Sequence, residues 1–236
     1  MFKGTRIIYS EFLLFLKDAN IIDYTRKFRY PILLGTEIIE GAIAEKSPGY
    51  NATFRFKADT QTSAIETNSI KKMMFTLCKP IDSLTLTNIF SIGRDASNDI
   101  VIVDYTVSKK HGEIRYGDNG YVLIDLKSRN GSKLNTAPLP PYIQSPIKQR
   151  DILSFGRLSF ILLKPISLFV SNRIQTNQEH LLHRDAKSIV NQSDFTMLTR
   201  LAKKHHLPYK NQPKETLMHI ILKELQPIPI LYYLCP

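Results

Sequence analysis

From Phe90 to Pro165 short runs of alternating apolar and polar residues are separated by clusters of turn-forming residues. Phe90-Ser91-Ile92-Gly93-Arg94 opens the stretch, and Asn98-Asp99 introduces Ile100-Val101-Ile102-Val103-Asp104. The chain then passes Val107-Ser108-Lys109-Lys110-His111-Gly112 and Tyr121-Val122-Leu123-Ile124-Asp125. Beyond these come Ser128-Arg129-Asn130-Gly131-Ser132, Leu134-Asn135 and Asp151-Ile152-Leu153-Ser154-Phe155-Gly156. Alternation of period two, punctuated by Gly, Asn, Asp and Ser about every ten residues, predicts an all-β sandwich or barrel. The polar residues fall in the turns, where a rigid sheet can aim them at a ligand.

The flanks follow other patterns. Near the N-terminus Phe12, Phe15 and Leu16 recur at helical spacing, and Ser10 can cap a helix from Glu11 to about Asn20, with Ile21 to Phe28 as its extension. Pro31–Gly35, Glu37–Ala44 and Ala52–Lys57 read as strands, with a turn at Ser47–Asn51. Residues 1–60 thus form an α+β extension, either a small unit of its own or one packed on the sandwich. Residues 61–72 are polar and read as a linker, and Met73–Cys78 starts the sandwich at residues 73–165. Four prolines between Thr136 and Gln149 exclude a central strand there, because proline cannot donate to a sheet ladder. Residues 166–192 are a connector, with Ile166–Val170 either a last strand or a link. Residues 193–226 carry two amphipathic helices: one follows Ser193 or Asp194 as cap, and the second runs from about Pro213 to Leu225.

Composition narrows the function classes. Of 236 residues 43% are hydrophobic, with 12 Phe and 11 Tyr, enough to bury a core. No apolar run reaches the roughly 20 residues that span a bilayer. The run Phe12–Leu16 is too short for a signal-peptide core, so a cytoplasmic protein without membrane insertion is expected. The two cysteines, Cys78 in a predicted strand and Cys235, agree with a reducing compartment, and nothing demands a disulfide between them. The net charge of +11 favours an anionic partner, but it is spread along the chain without a block of like charges and does not select one.

The ordered set Gly93-Arg94, Ser108-x-x-His111, Ser128-x-Asn130-Gly131-Ser132, Asn135 and Asp151-x-x-x-Phe155-Gly156 resembles the forkhead-associated (FHA) domain. Each piece is common alone; all five in register are specific. The resemblance covers under half of the chain. It implies a mainly β fold: an FHA-like β-sandwich with an N-terminal α+β extension and a small C-terminal helical segment. It further implies binding of phosphothreonine peptides, with Arg94, Ser108, Lys109 and Asn130 at the contacting positions. Arg129 stands where a further contact lies, and Thr106, in the loop before Ser108, is the candidate for reading residues after the phosphothreonine. Gly93, His111, Gly131 and Asn135 are expected to support the site. The connection after Asn135 is longer than the family's usual one, and Arg150 stands where a glycine is common. Both departures bear on ligand specificity more than on the fold.

The chemistry agrees with these roles. A phosphothreonine carries about −1.5 to −2 charge and three strong acceptor oxygens. A planar guanidinium such as that of Arg94 bonds two of them at once. Ser108 adds a hydroxyl donor, Lys109 a second cation, and Asn130 both donates to and accepts from a peptide backbone. The bland alternatives are a strand-end surface arginine, a serine cap, a solvated lysine and an Asn-Gly turn.

Other signals are weaker. His183-Arg184-Asp185 resembles a kinase catalytic loop, but the asparagine that pattern requires five residues on is Val190 here. His180, His183, His205 and His206 lack the companions of a metal site. Neither a metal nor another cofactor is called for. The C-terminal helix pair is similar to SAP-like modules, some of which bind nucleic acid. The expectation is therefore a non-enzymatic adaptor that docks a phosphothreonine-containing protein in Ser/Thr kinase signalling. Its alternatives are a nucleic-acid-associated protein acting through residues 193–226, and a structural assembly component that binds without phosphate.

Overall fold

The alternation seen in the sequence is the alternation of a two-layer sandwich. A computed structural model describes residues 2–3, 5–38, 70–79 and 88–235. The strand over Ala52–Lys57, the turn before it, the end of Glu37–Ala44 and most of the linker lie outside the described residues. The described chain divides into two units, one of residues 1–9 and 32–162, the other of residues 10–31 and 163–236.

The first unit holds thirteen strands among the described residues. They are β1 (Phe2–Lys3), β2 (Arg6–Ile8), β3 (Ile32–Ile38), β4 (Met73–Thr76), β5 (Ile89–Gly93), β6 (Ile100–Val101) and β7 (Gly112–Gly117). They continue with β8 (Gly120–Asp125), β9 (Ser132–Leu134), β10 (Ala137–Pro138), β11 (Ser145–Ile147), β12 (Ile152–Phe155) and β13 (Leu158–Leu163). One sheet runs β1-β2-β4-β3-β13-β12-β9-β10 and the other β11-β8-β7-β5-β6. The described pairings are antiparallel except β5 with β6. Period-two burial sets the register: Phe90 stands opposite Ile114, and Ile114 opposite Leu123. In the other sheet Leu153 faces Phe160 and Phe155 faces Leu158. These residues, with Phe75 and Ile92, form one core cluster. Burying each large apolar side chain contributes roughly 1.5–3 kcal/mol. Pro138 and Pro146 lie in β10 and β11, the outermost strands of their sheets, where a missing N–H costs the ladder least.

The second unit is helical: α1 (Tyr9–Asp18), α2 (Ile21–Lys27), α3 (Pro165–Gln175), a 3-10 turn at Glu179–Leu181, α4 (Leu182–Gln192), α5 (Phe195–Lys204), α6 (Lys214–Glu224) and α7 (Pro227–Leu234). Residues 1–38 are thus shared out: β1, β2 and β3 extend a sheet of the sandwich, while α1 and α2 take part in the helical unit. Asn20 separates α1 from α2 because its side chain accepts from the N–H groups of Ile22 and Asp23 and starts a new helix. Ile166–Val170, read as a strand or link, lies within α3, which Pro165 opens at its first position. Cys78 lies beyond β4 and is half-buried, Cys235 is buried, and both thiols are free.

Candidate functional site

Three loops converge at one end of the sandwich, laced together by backbone and side-chain hydrogen bonds. β5 ends at Gly93; the Arg94 N–H then donates to the Ser108 carbonyl at 3.0 Å and the Asp95 N–H to the Lys109 carbonyl at 3.3 Å. This approach requires glycine, since a Cβ at residue 93 would sit 2.1 Å from the Lys109 oxygen. The Asn98 amide fixes the same crossing by donating to the Asp95 and Lys109 carbonyls at 2.8 and 2.7 Å.

His111 ties the second loop to the third. Its Nδ1 accepts from the Ser108 N–H at 3.0 Å, so the proton resides on Nε2, which donates to the Gly131 carbonyl at 3.2 Å. The ring is fully buried and meets Phe155 edge-on. Burial pulls its pKa below the ordinary histidine value and outweighs Asp125, whose carboxylate lies 3.9 Å away. The neutral tautomer is the one that both hydrogen bonds demand.

The third loop, Lys127 to Gly131, is shaped by Asp125. This buried carboxylate accepts from the Ser128 N–H and from the hydroxyls of Ser128 and Ser132. The Arg129 N–H then reaches across to the Ser108 Oγ at 3.0 Å, and the Asn130 amide to the Thr106 carbonyl at 2.8 Å. Ser108 Oγ therefore accepts within the protein and keeps its hydroxyl proton to donate. Asn130 retains its Oδ1 and a second N–H.

Thr106 differs from its expected role. Its side chain is 1% exposed and engaged twice, donating to Asp104 and accepting from the Arg157 N–H. A buried hydroxyl so occupied cannot read a ligand; Thr106 instead holds Asn130 through its carbonyl. Burial alone would push the Asp104 carboxyl up, but hydrogen bonds from Arg157 and Thr106 outweigh it and leave the group below its usual value. Asn135, at φ 52°, binds the start of β12: its side chain accepts from the Ile152 N–H and donates to Asp151.

Sequence reasoning passed over Asn98, Asp104, Asp125 and Arg157. Asp104-x-Thr106 and Asp125-x-x-Ser128 were the available signals, since Asp side chains commonly accept from N–H groups two or three residues on.

The side chains at the surface are the remaining motif residues. Arg94, Lys109 and Arg129 are exposed, and their charged groups make no hydrogen bond or salt bridge to a described residue. Lys110 and Lys127 are exposed alongside, with Asp95 the acidic neighbour, its carboxyl lowered chiefly by the Ser97 N–H. Among the described residues no cluster of three His, Cys, Asp or Glu side chains could hold a metal. No described helix is long and apolar enough to cross a membrane. His183-Arg184-Asp185 lies in α4, with Asp185 buried beside Arg173.

The loop end of this β-sandwich thus presents uncommitted cations beside neutral hydrogen-bond donors. Residues 90–156 match the family model of the FHA domain, and that segment of the chain is an FHA domain. It is 31% identical over 75 residues to the glycogen accumulation regulator GarA of Mycobacterium tuberculosis, covering 32% of this chain and 44% of GarA. It is 36% identical over 69 residues to the oxoglutarate dehydrogenase inhibitor of Corynebacterium diphtheriae, covering 29% and 48% of the two chains. A solved FHA domain from work on phosphothreonine-dependent interactions is 30% identical, with a TM-score of 0.29 and coverage of 32% and 76%. The chain spans less than half the length of the curated relatives it matches.

Proposed function

We propose that this protein is a non-catalytic, cytoplasmic adaptor whose sandwich captures a phosphothreonine-containing segment of a partner protein. The observation that carries the reading is the placement of Arg94, Ser108, Lys109, Arg129 and Asn130 on loops tied to one another by backbone and side-chain hydrogen bonds. Arg94 and Lys109 supply the charge, the Ser108 hydroxyl donates to a third phosphate oxygen, and Asn130 registers the peptide backbone. Arg129 adds charge at the rim. The solved domain studied for phosphothreonine-dependent interactions is in keeping with this assignment.

Charge-assisted hydrogen bonds contribute about 1.5–3 kcal/mol each, so the phosphate alone accounts for much of a micromolar affinity, about −8 kcal/mol. Arg94→Ala is expected to weaken phosphothreonine-peptide binding at least about tenfold, with the melting temperature unchanged because Arg94 is exposed. Isothermal titration with one phosphopeptide checks this. Equal affinity in the folded variant would refute the site.

A further inference from the structure

Between Phe195 and Lys214 the chain carries five lysines and arginines and no acidic residue. The stretch comprises α5, the connector from His205 to Pro213 and the first residue of α6. Leu198, Leu201 and Ala202 are buried and set the inward face of α5. At 3.6 residues per turn, Arg200, Lys203 and Lys204 then share an arc of about 100° on the opposite face. All three are exposed, as are His206 and Lys210, and Lys214 is half-buried. The five charged groups make no hydrogen bond or salt bridge to a described residue. Lys204 is held in place all the same, with its Nζ 4.9 Å from the centre of the Tyr233 ring. The acids that bound the stretch do not neutralise it. Asp194 caps the far end of α5, roughly 15 Å from Lys204, and Glu215 lies in the first turn of α6.

Helix stability accounts for part of this pattern. Cations in a last turn complement the helix dipole, which covers Lys203 and Lys204. It does not cover Arg200, one turn back from both, where like charges three and four residues apart repel. Nor does it cover Lys214, at the first position of α6, where the dipole disfavours a cation. The end of α5 is closed by the Leu207 N–H on the Ala202 carbonyl at 2.9 Å and the His206 N–H on the Lys203 carbonyl at 3.2 Å. The left-handed position in such a closure usually belongs to glycine, and here it is the exposed His206 at φ 56°. Cations gathered against local preference and strung along the chain fit an extended polyanion better than a single anion. The outward arc of α5 is completed by Thr196 and has no large apolar residue, so it lacks the apolar face that a helix buries in a membrane surface. It also has no aromatic ring on which an unpaired base could stack.

We propose that Arg200, Lys203 and Lys204, extended along the chain by Lys210 and Lys214, dock on the phosphate backbone of a nucleic-acid duplex without regard to base sequence. The phosphopeptide reading above neither supports this surface nor depends on it.

The test is binding of the full chain to a mixed-sequence DNA duplex, followed by fluorescence anisotropy from about 50 to 200 mM salt. The logarithm of the binding constant falls against that of salt with a slope of roughly −3 to −4, for three or four phosphates neutralised. The double variant Arg200→Gln, Lys203→Gln cuts the slope by about two and weakens binding at least about tenfold. It melts with the parent, because both side chains are exposed. A second double variant, Lys71→Gln, Lys72→Gln, removes the same charge from exposed positions of the sandwich unit and binds the duplex as the parent does. No duplex binding at the lowest salt overturns the proposal. Equal weakening by the two double variants overturns it as well, since net charge alone would then be acting. Capture of mixed phosphatidylserine and phosphatidylcholine vesicles in preference to the duplex would assign the face to a membrane surface and overturn it likewise.

Discussion

His111 shows how much of the site depends on one uncharged side chain. Its Nδ1 must accept and its Nε2 must donate, and protonation would set a second donor against the Ser108 N–H. Because its folded pKa lies below the ordinary value, the unfolded chain binds the proton first. Stability is therefore full above the unfolded pKa of about 6.5 and falls as pH drops from there toward the folded value. Thermal melts across that range are expected to show the decline, and His111→Gln to flatten it. A melting temperature equally pH-dependent in both proteins would contradict the role. Arg150, also flagged in the sequence, stands at φ 72° with its N–H on the Leu162 carbonyl. A left-handed conformation costs an ordinary residue about 1–2 kcal/mol. Arg150→Gly recovers part of this against glycine's larger unfolded entropy, so denaturant titration is expected to show a gain of up to about 1 kcal/mol.

The loop positions proposed to contact phosphate, and the glycines beside them, are marked in the sequence because turn chemistry is local: Gly93, Ser108 and Asn130 each stand in a short motif. Their support is not. Asp125 and Arg157 act through side chains that meet residues distant along the chain, and nothing in a one-dimensional pattern marks Arg157 as the partner of Asp104. Thr106 misled for the same reason, since loop position gives no measure of burial.

At the scale of elements, the two helices expected within residues 193–226 are α5 and α6, capped at Asp194 and Pro213, whereas α3 and α7 lie where no helix is expected. α7 lies beyond the last element read from the sequence; Pro227 and Pro229 stand in its first turn, where proline is harmless, and burial of Ile230 and Leu231 holds the helix. Ile166–Val170 is apolar enough to read as a strand until Phe169 and Val170 are placed on the buried face of α3. That helix carries Arg173, buried, donating to Gln178 and to the Ala19 carbonyl, with its Nε 3.5 Å from the Asp185 carboxylate but not hydrogen-bonded to it. Burial pushes the Asp185 carboxyl up even though Arg173 pulls it down. Removing one partner of such a pair strands the other. Arg173→Met is expected to cost roughly 3 kcal/mol, and adding Asp185→Leu to restore much of that loss. Chemical denaturation of both variants checks this; a double variant no more stable than the single would contradict it.

At the scale of the molecule, two units of different pattern share one chain, and the N-terminal residues contribute to both. The period-two stretch around the FHA domain announced itself, but the pairing of α1 and α2 with the C-terminal helical unit needed the three-dimensional contacts. The net charge of +11 favours long-range attraction of an anionic partner, such as the phosphorylated one proposed above, most strongly at low salt. It supplies no selectivity, which must come from the loops. The central claim is therefore tested most directly by a degenerate peptide library in three forms: phosphothreonine, phosphoserine and unphosphorylated. The purified full chain is predicted to capture the phosphothreonine form selectively at physiological salt. Equal capture of all three forms, or of none, would contradict the account.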